Sequence, residues 1–342
     1  MKWYSPRRPP FVLESFPFFD KEDVYRRLSL NPETPLPEAV ERLCNDSAGG
    51  RIRFKADINS LTIKVKLLNE SAWYHMPATG KNGVDCYISI DGPVRYCSTA
   101  RIKPICDEYE AIMFSFKEKD TYNIELNLPL TNGIYDIMIG VDDDAVLYPP
   151  LERRNKGRIV HYGTSIIHGL CVSRPGMALT NQLSRRLDAE IINLGFNGAG
   201  KCESSVAYQI RKIEDMSLLI IDTDANCLDG EWINEKYPRF IETVREKYPD
   251  LPILVVSVIN FPKVFLFDET VERYKCKRET QIRIVNELNC KGDRNIYFLD
   301  GRTLLGDEGR EECTVDGVHP TDLGNFRMAE VFEKKIREIL NI

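Results

Sequence analysis

The sequence has only four histidines and three tryptophans in 342 residues, and its ten cysteines include no C-x-x-C pair. Zinc and dithiol redox chemistry both rely on donors at short, regular spacing. The linear order supports neither, so no metal and no cofactor is expected. Cationic excess is also missing: 46 Lys and Arg against 52 Asp and Glu leave a formal net charge of -6. Phosphate backbones and anionic leaflets are bound largely by surplus positive charge, so no nucleic acid and no membrane partner is expected. No stretch approaches the ~18 uncharged apolar residues of a spanning helix. The opening MKWYSPRRPPFVLESFPFFDKED places prolines and charges where an export signal needs an unbroken apolar run. The expected location is therefore cytoplasmic, with the cysteines as buried thiols in a reducing compartment.

What is present is an ordinary globular composition, 43% hydrophobic and 29% charged, in a chain long enough for two domains of about 150 residues. From Arg51 to about Asp142 apolar residues recur at every second position, as in Leu61, Ile63, Val65 and Leu67, then Tyr122, Ile124, Leu126 and Leu128. Period two marks half-buried strands, and the turns at Asn132-Gly133 and Asp91-Gly92-Pro93 divide them. This predicts an antiparallel β-sandwich over residues 1–148, with one short helix at Pro37–Leu43. The stretch 149–157, within LYPPLERRNKGR, is rich in proline and basic residues and reads as a linker. Over 158–342 continuous apolar runs (RIVHY, EIINL, SLLIID, PILVVSV, NIYFLD) alternate with amphipathic stretches of helical length. That alternation predicts a parallel sheet with helices on both faces. The last helix should open at Thr321 or Asp322.

In such sheets ligands gather beyond the carboxyl ends of the strands, and four loops there stand out. YGTSIIHG (162–169) carries Ser165, which could serve simply as a helix cap. NLGFNGAGK (193–201) offers three glycines that let backbone N–H groups approach a ligand. LLIIDTDANC (218–227) places Asn226 shortly after a strand, and DGVHPTDLG (316–324) sets Asp316 and His319 three apart before the last helix. Each has a bland structural reading, but together they meet the needs of acyl transfer. A serine hydroxyl needs an imidazole to take its proton, and the imidazole needs a carboxylate to fix its tautomer. Ser165, His319 and Asp316 fit those roles. The N–H groups of Ser165 and Gly198 and the amide of Asn226 could stabilise an oxyanion.

In chain order these residues resemble the SGNH (GDSL-like) hydrolases. The closer resemblance is to the subgroup with YGSSITQG, SRPGM, NLGFSGNGK and DGVHPTDLG blocks, which stand here as YGTSIIHG, SRPGM (173–177), NLGFNGAGK and DGVHPTDLG. That subgroup also has an N-terminal β-domain with a Gly-x-Asp-Leu-Tyr signature, matched by NGVDCY (82–87) except at Cys86. The resemblance implies a flavodoxin-like catalytic domain beside a small β-sandwich, and a metal-independent esterase. Ser165 is then nucleophile, His319 general base, Asp316 its orienter, and Gly198 and Asn226 oxyanion donors. The implied substrate is a small-molecule or oligosaccharide ester with a short acyl group, acetyl in the first place. Lysophospholipid or thioester hydrolysis is the alternative on the same triad.

Ile167-His168 replaces the subgroup's Thr-Gln, and exposure of His168 beside the nucleophile would let it touch an acyl or sugar group. Arg174 either binds a substrate carboxylate or anchors a loop. His161 is expected to be a satisfied sheet histidine. Trp73 is expected in the core, whereas Trp73 and His75 together could reach the site from the β-domain. Two rival readings remain. GFNGAGKC (195–202) falls one residue short of a P-loop, with Cys202 where a magnesium-binding hydroxyl belongs. A catalytically silent carbohydrate-binding protein would leave the same catalytic positions without purpose. Subunits often pair in hydrolases of this kind, but no feature of the sequence demands a homo-oligomer.

Overall fold

The computed structural model describes residues 1–69, 74–261 and 268–342. Trp73 lies outside the described residues. The first half is antiparallel, built from β1 (Lys2–Tyr4), β2 (Val12–Glu14), β3 (Arg51–Leu67), β4 (Asp85–Ser89), β5 (Arg95–Thr99), β6 (Glu108–Asn127), β7 (Ile134–Val141) and β8 (Val146–Tyr148). They form one eight-stranded sheet in the order β1-β7-β3-β6-β4-β5, with β2 and β8 paired to the first half of β3. The two layers of the expected sandwich are therefore halves of one sheet, sharing the long strands β3 and β6 and a common apolar cluster.

The bend is written in the alternation. Along β3 the buried apolar residues sit at even positions (Ile52, Phe54, Ala56, Ile58) and then at odd ones (Leu61, Ile63, Val65, Leu67). A one-residue change of phase turns every later side chain to the other face unless a bulge absorbs it. The register with β6 shifts between Ile58 and Ser60 and again between Leu61 and Thr62. Asp142 secures the spot, its carboxylate accepting from Asn59 N, Ser60 N and Ser60 Oγ at 2.5–3.2 Å.

The second half is a parallel sheet of β9 (Arg158–Gly163), β10 (Glu190–Gly195), β11 (Met216–Asp222), β12 (Ile253–Val256) and β13 (Ile296–Leu299), in the order β10-β9-β11-β12-β13. This is the flavodoxin-like arrangement. Alternate strand residues feed two cores. Val160 and Tyr162 face α6 (Ser204–Ile210), α7 (Gly230–Arg245) and α8 (Asp268–Cys290). Ile159 faces α5 (Leu179–Leu187) and α9 (Asp322–Leu340). Thr321 caps α9, its side chain accepting from Gly324 N.

The two halves do not keep separate cores. Phe18, Leu28, Val40, Leu43 and Cys44 pack inside the first cluster of the parallel domain; Val40 and Leu43 belong to the short helix α2 (Glu38–Leu43). Buried Arg27 donates to the carbonyls of Leu43 and Gly195. The basic linker is also anchored: Arg153 Nη2 lies 2.8 Å from buried Glu14, which takes Arg51 and Arg53 as well. The cysteines depart from expectation. All ten are unpaired thiols, but only six are buried, and Cys276 and Cys290 are exposed on α8 because they lie on its solvent side.

Candidate active site

Strand β9 ends at Gly163, and Thr164, not Ser165, caps the short helix α4 (Ser165–His168), its hydroxyl accepting from Ile166 N. The cap reading of Ser165 is thereby corrected, and its hydroxyl is left for another partner. That partner is His319, with Nε2 2.9 Å from Ser165 Oγ, while Nδ1 lies 2.7 Å from Asp316 Oδ2. The other Asp316 oxygen accepts from Val318 N at 2.9 Å and His319 N at 2.8 Å. Partial burial pushes the Asp316 carboxyl up. The two N–H groups and the His319 ring outweigh that and hold it down at about 2. Carboxylate, imidazole and hydroxyl thus lie in one continuous line at the carboxyl edge of the sheet.

The glycine loop after β10 divides its labour in a way the sequence did not disclose. A Cβ at Gly195 would stand 2.0 Å from His168 N, and one at Gly200 would stand 2.1 Å from Gly163 O. Gly195 lets the loop pack against the backbone of α4, and Gly200 lets it pack against the end of β9. Gly198 alone is open, with nothing within 4 Å of its would-be Cβ and a left-handed φ of 69°. Ala199 N and Gly200 N turn back to the Phe196 carbonyl, and Gly198 N makes no such backbone bond. Asn226 lies in the turn after β11. Its amide is satisfied with the oxygen accepting from Ala199 N and Gly200 N at 3.2 Å each.

Several expectations need revision. His168 does not reach the site. It is buried, with Nε2 2.8 Å from the Leu130 carbonyl and 3.3 Å from Asp46, because the helix turns that face toward the β-domain. Burial lowers its pKa, opposed by Asp46. Arg174 takes the anchoring reading: Nη1 lies 2.7 Å from Asp85 Oδ2 and 2.7 Å from Tyr87 Oη. Asp85 and Tyr87 are the acidic and aromatic members of the Gly-x-Asp-x-Tyr signature. Fully buried Asp85 also accepts from Gly176 N and Asn127 Nδ2 at 2.8 Å each. The signature is therefore a latch that fastens the β-domain to the SRPGM loop. His161 is a sheet histidine, buried against Phe332 with Nε2 3.4 Å from Asp222. The P-loop reading fails on Cys202, a buried thiol with Sγ 3.1 Å from Thr223 Oγ1.

His75 does arrive from the β-domain, its ring 5.5 Å from that of His319. Beside it, an apolar cluster joins Ala48, Met76 and Leu130 of the β-domain to Leu170, Cys171, Val172 and Ala178, just past α4. Sequence reasoning did not single out Cys171, since a lone cysteine in GLCV gives no signal.

Residues 156–337 match the family model described as GDSL-like Lipase/Acylhydrolase family, and residues 1–147 match the N-terminus of Esterase_SGNH_hydro-type. The chain belongs to the GDSL-like lipase/acylhydrolase family. This acylhydrolase is similar to a candidate GDSL-like lipase from Bacteroides ovatus, at 28% identity and a TM-score of 0.91, covering 100% of this chain and 98% of that one. A salicylyl-acyltransferase of a tetracycline biosynthetic pathway, SsfX3, shares its fold at 17% identity and a TM-score of 0.75, with 99% and 97% covered. So does a family two carbohydrate esterase from Clostridium thermocellum in complex with cellohexaose, at 14% identity and 0.61, with 86% and 93% covered. No curated protein matches the sequence. The acylhydrolase is an ester hydrolase by family, and no helix among its described residues is long and apolar enough to cross a membrane.

Proposed function

We propose that this acylhydrolase is a serine esterase that removes short acyl groups, acetyl foremost, from a carbohydrate or other small-molecule alcohol. The observation that carries the reading is the unbroken relay from Asp316 through His319 to Ser165 Oγ, at 2.7 and 2.9 Å. As Ser165 Oγ attacks the ester carbon, its proton passes to His319 Nε2, and Asp316, ionised because its pKa is depressed, stabilises the imidazolium. The carbonyl oxygen becomes an oxyanion, received by the N–H groups of Ser165 and Gly198 and the amide of Asn226. Collapse expels the alkoxide, which takes the proton back from His319 and leaves an acyl-serine. Water repeats the sequence and releases the acid.

Two observations support a short acyl group on a sugar. The sequence offers no long apolar lid for a fatty chain, and the fold is shared with a carbohydrate esterase that holds cellohexaose. The ten unpaired thiols support action in a reducing, cytoplasmic setting. Two measurements test the reading. A fluorophosphonate should label the protein once, and Ser165→Ala should abolish both the label and turnover. Across p-nitrophenyl esters from acetyl to dodecanoyl, kcat/KM should peak at acetyl. Absence of labelling in folded protein would remove the nucleophile, and a peak at octanoyl or beyond would redirect the assignment to lipids.

A further inference from the structure

We infer that His75, Cys171 and His319 together form a binding site for a zinc-type divalent cation, and that occupancy switches the hydrolase off. The inhibitory part rests on the reading of His319 as general base. The three residues come from distant parts of the chain: His75 from the loop between β3 and α3 (Ala78–Lys81), Cys171 from just after α4, and His319 from the loop before α9. One ligand atom of each lies within 4.8 Å of the other two. Zinc bonds of about 2.0–2.1 Å to nitrogen and 2.3 Å to sulfur hold tetrahedral donors roughly 3.3–3.6 Å apart. Closing the remainder takes at most about 1.2–1.5 Å, within reach of side-chain rotation.

The donor set is selective. Two imidazoles and a thiol are borderline to soft ligands that favour zinc, cobalt or copper over magnesium and calcium. The backbone is committed to the arrangement as well. Cys171 sits at φ 72°, a left-handed conformation that residues with a Cβ rarely adopt. The interdomain cluster of Met76, Leu170 and Val172 packs around it and fixes its position beside the loop that bears His75.

Binding is a ligand exchange without electron transfer. The Cys171 Sγ proton is released to solvent, and the metal takes the His319 lone pair that otherwise receives the Ser165 proton. The ion therefore competes with the first catalytic step, and chelation restores it. Because His75 belongs to the β-domain, the site makes the catalytic domain's activity depend on a residue outside it.

The test uses the full chain in a Cys276→Ser/Cys290→Ser background, which removes the two exposed thiols. Zinc should inhibit ester hydrolysis, with EDTA restoring the rate. Cobalt should give a near-ultraviolet thiolate-to-metal absorption at one equivalent, retained in Ser165→Ala and lost in Cys171→Ser. His75→Ala, in a half-exposed loop, should raise the zinc concentration for half-inhibition at least about tenfold, with rates normalised to its own metal-free value. Absence of the cobalt band, or unchanged zinc sensitivity in both His75→Ala and Cys171→Ser, overturns the site. A cobalt band in a Ser165→Ala protein that still hydrolyses esters upholds the site and refutes the nucleophile instead.

Discussion

A single carboxylate oxygen is the difference between an oriented imidazole and a mobile one. Asp316 spends one oxygen on two backbone N–H groups and the other on His319, so Asp316→Asn should keep the loop while presenting the wrong partner to Nδ1. A fall in kcat of about 10⁴-fold with circular dichroism unchanged is the expected result, and a loss below tenfold would remove the orienting role. Asn226→Ala should lower kcat about 10²–10³-fold with KM nearly constant, since its amide is needed mainly in the transition state; a change in KM alone would disprove the oxyanion role. With Asp316 held at about 2, its carboxylate is present throughout the range where the enzyme is assayed. The acid limb of kcat/KM should therefore fall by one proton, and a two-proton slope would bring in another group. At this scale Ser165, His319 and Asp316 were grouped as candidates by their neighbours and order, and the fold brings the three side chains together. It could not disclose His168, because whether a first-turn side chain faces solvent or a second domain depends on packing that spacing does not encode.

Elements are tied together here by buried charge. Glu14 on β2 meets Arg51, Arg53 and Arg153, three guanidinium groups from β3 and the linker. Burial pushes its carboxyl up, but Arg153, Arg51 and Arg53 prevail and hold it well below the usual carboxylate range. A depressed carboxyl stabilises the fold in full above its unfolded value, 4.5, and loses that contribution as pH falls. Glu14→Gln should therefore cost about 3–5 kcal/mol in urea unfolding near neutral pH, because it takes from buried Arg51 its carboxylate partner and leaves Arg53 and Arg153 to share Glu125. The gap from wild type should narrow as the pH drops below about 4; a gap independent of pH would mean that packing, not charge, holds these strands. The same logic explains what was legible. The phase change along β3 is visible in the bare alternation of apolar residues, because a bulge must accompany it. The partner of Asp85 was not visible, since nothing in the spacing of residues 85 and 174 reports that they meet.

At the scale of the whole molecule, the division at residues 148 to 158 marks a change of architecture without marking a division of the core. Family models that stop at residue 147 and resume at 156 follow the same seam, as does the switch from alternating to continuous apolar runs in the sequence. The segment Phe18–Cys44 was unreadable in this respect, because a short apolar stretch does not state which sheet it will cover. In the folded chain Leu28 and Val40 are wholly buried in the parallel domain's core, and Arg27 caps the Gly195 carbonyl from inside it. Removing residues 1–155 would withdraw Phe18, Leu28, Val40, Leu43 and Cys44 from that core, side chains worth roughly 1.5–3 kcal/mol each when buried. That sum is comparable with the roughly 5–15 kcal/mol by which ordinary domains are stable. The isolated 156–342 chain should consequently lack a cooperative thermal transition and near-ultraviolet dichroism, whereas the full chain shows both. If 156–342 instead melts in a single sharp transition and turns over acetyl esters, the N-terminal segment is a covering on a finished domain and not part of its core.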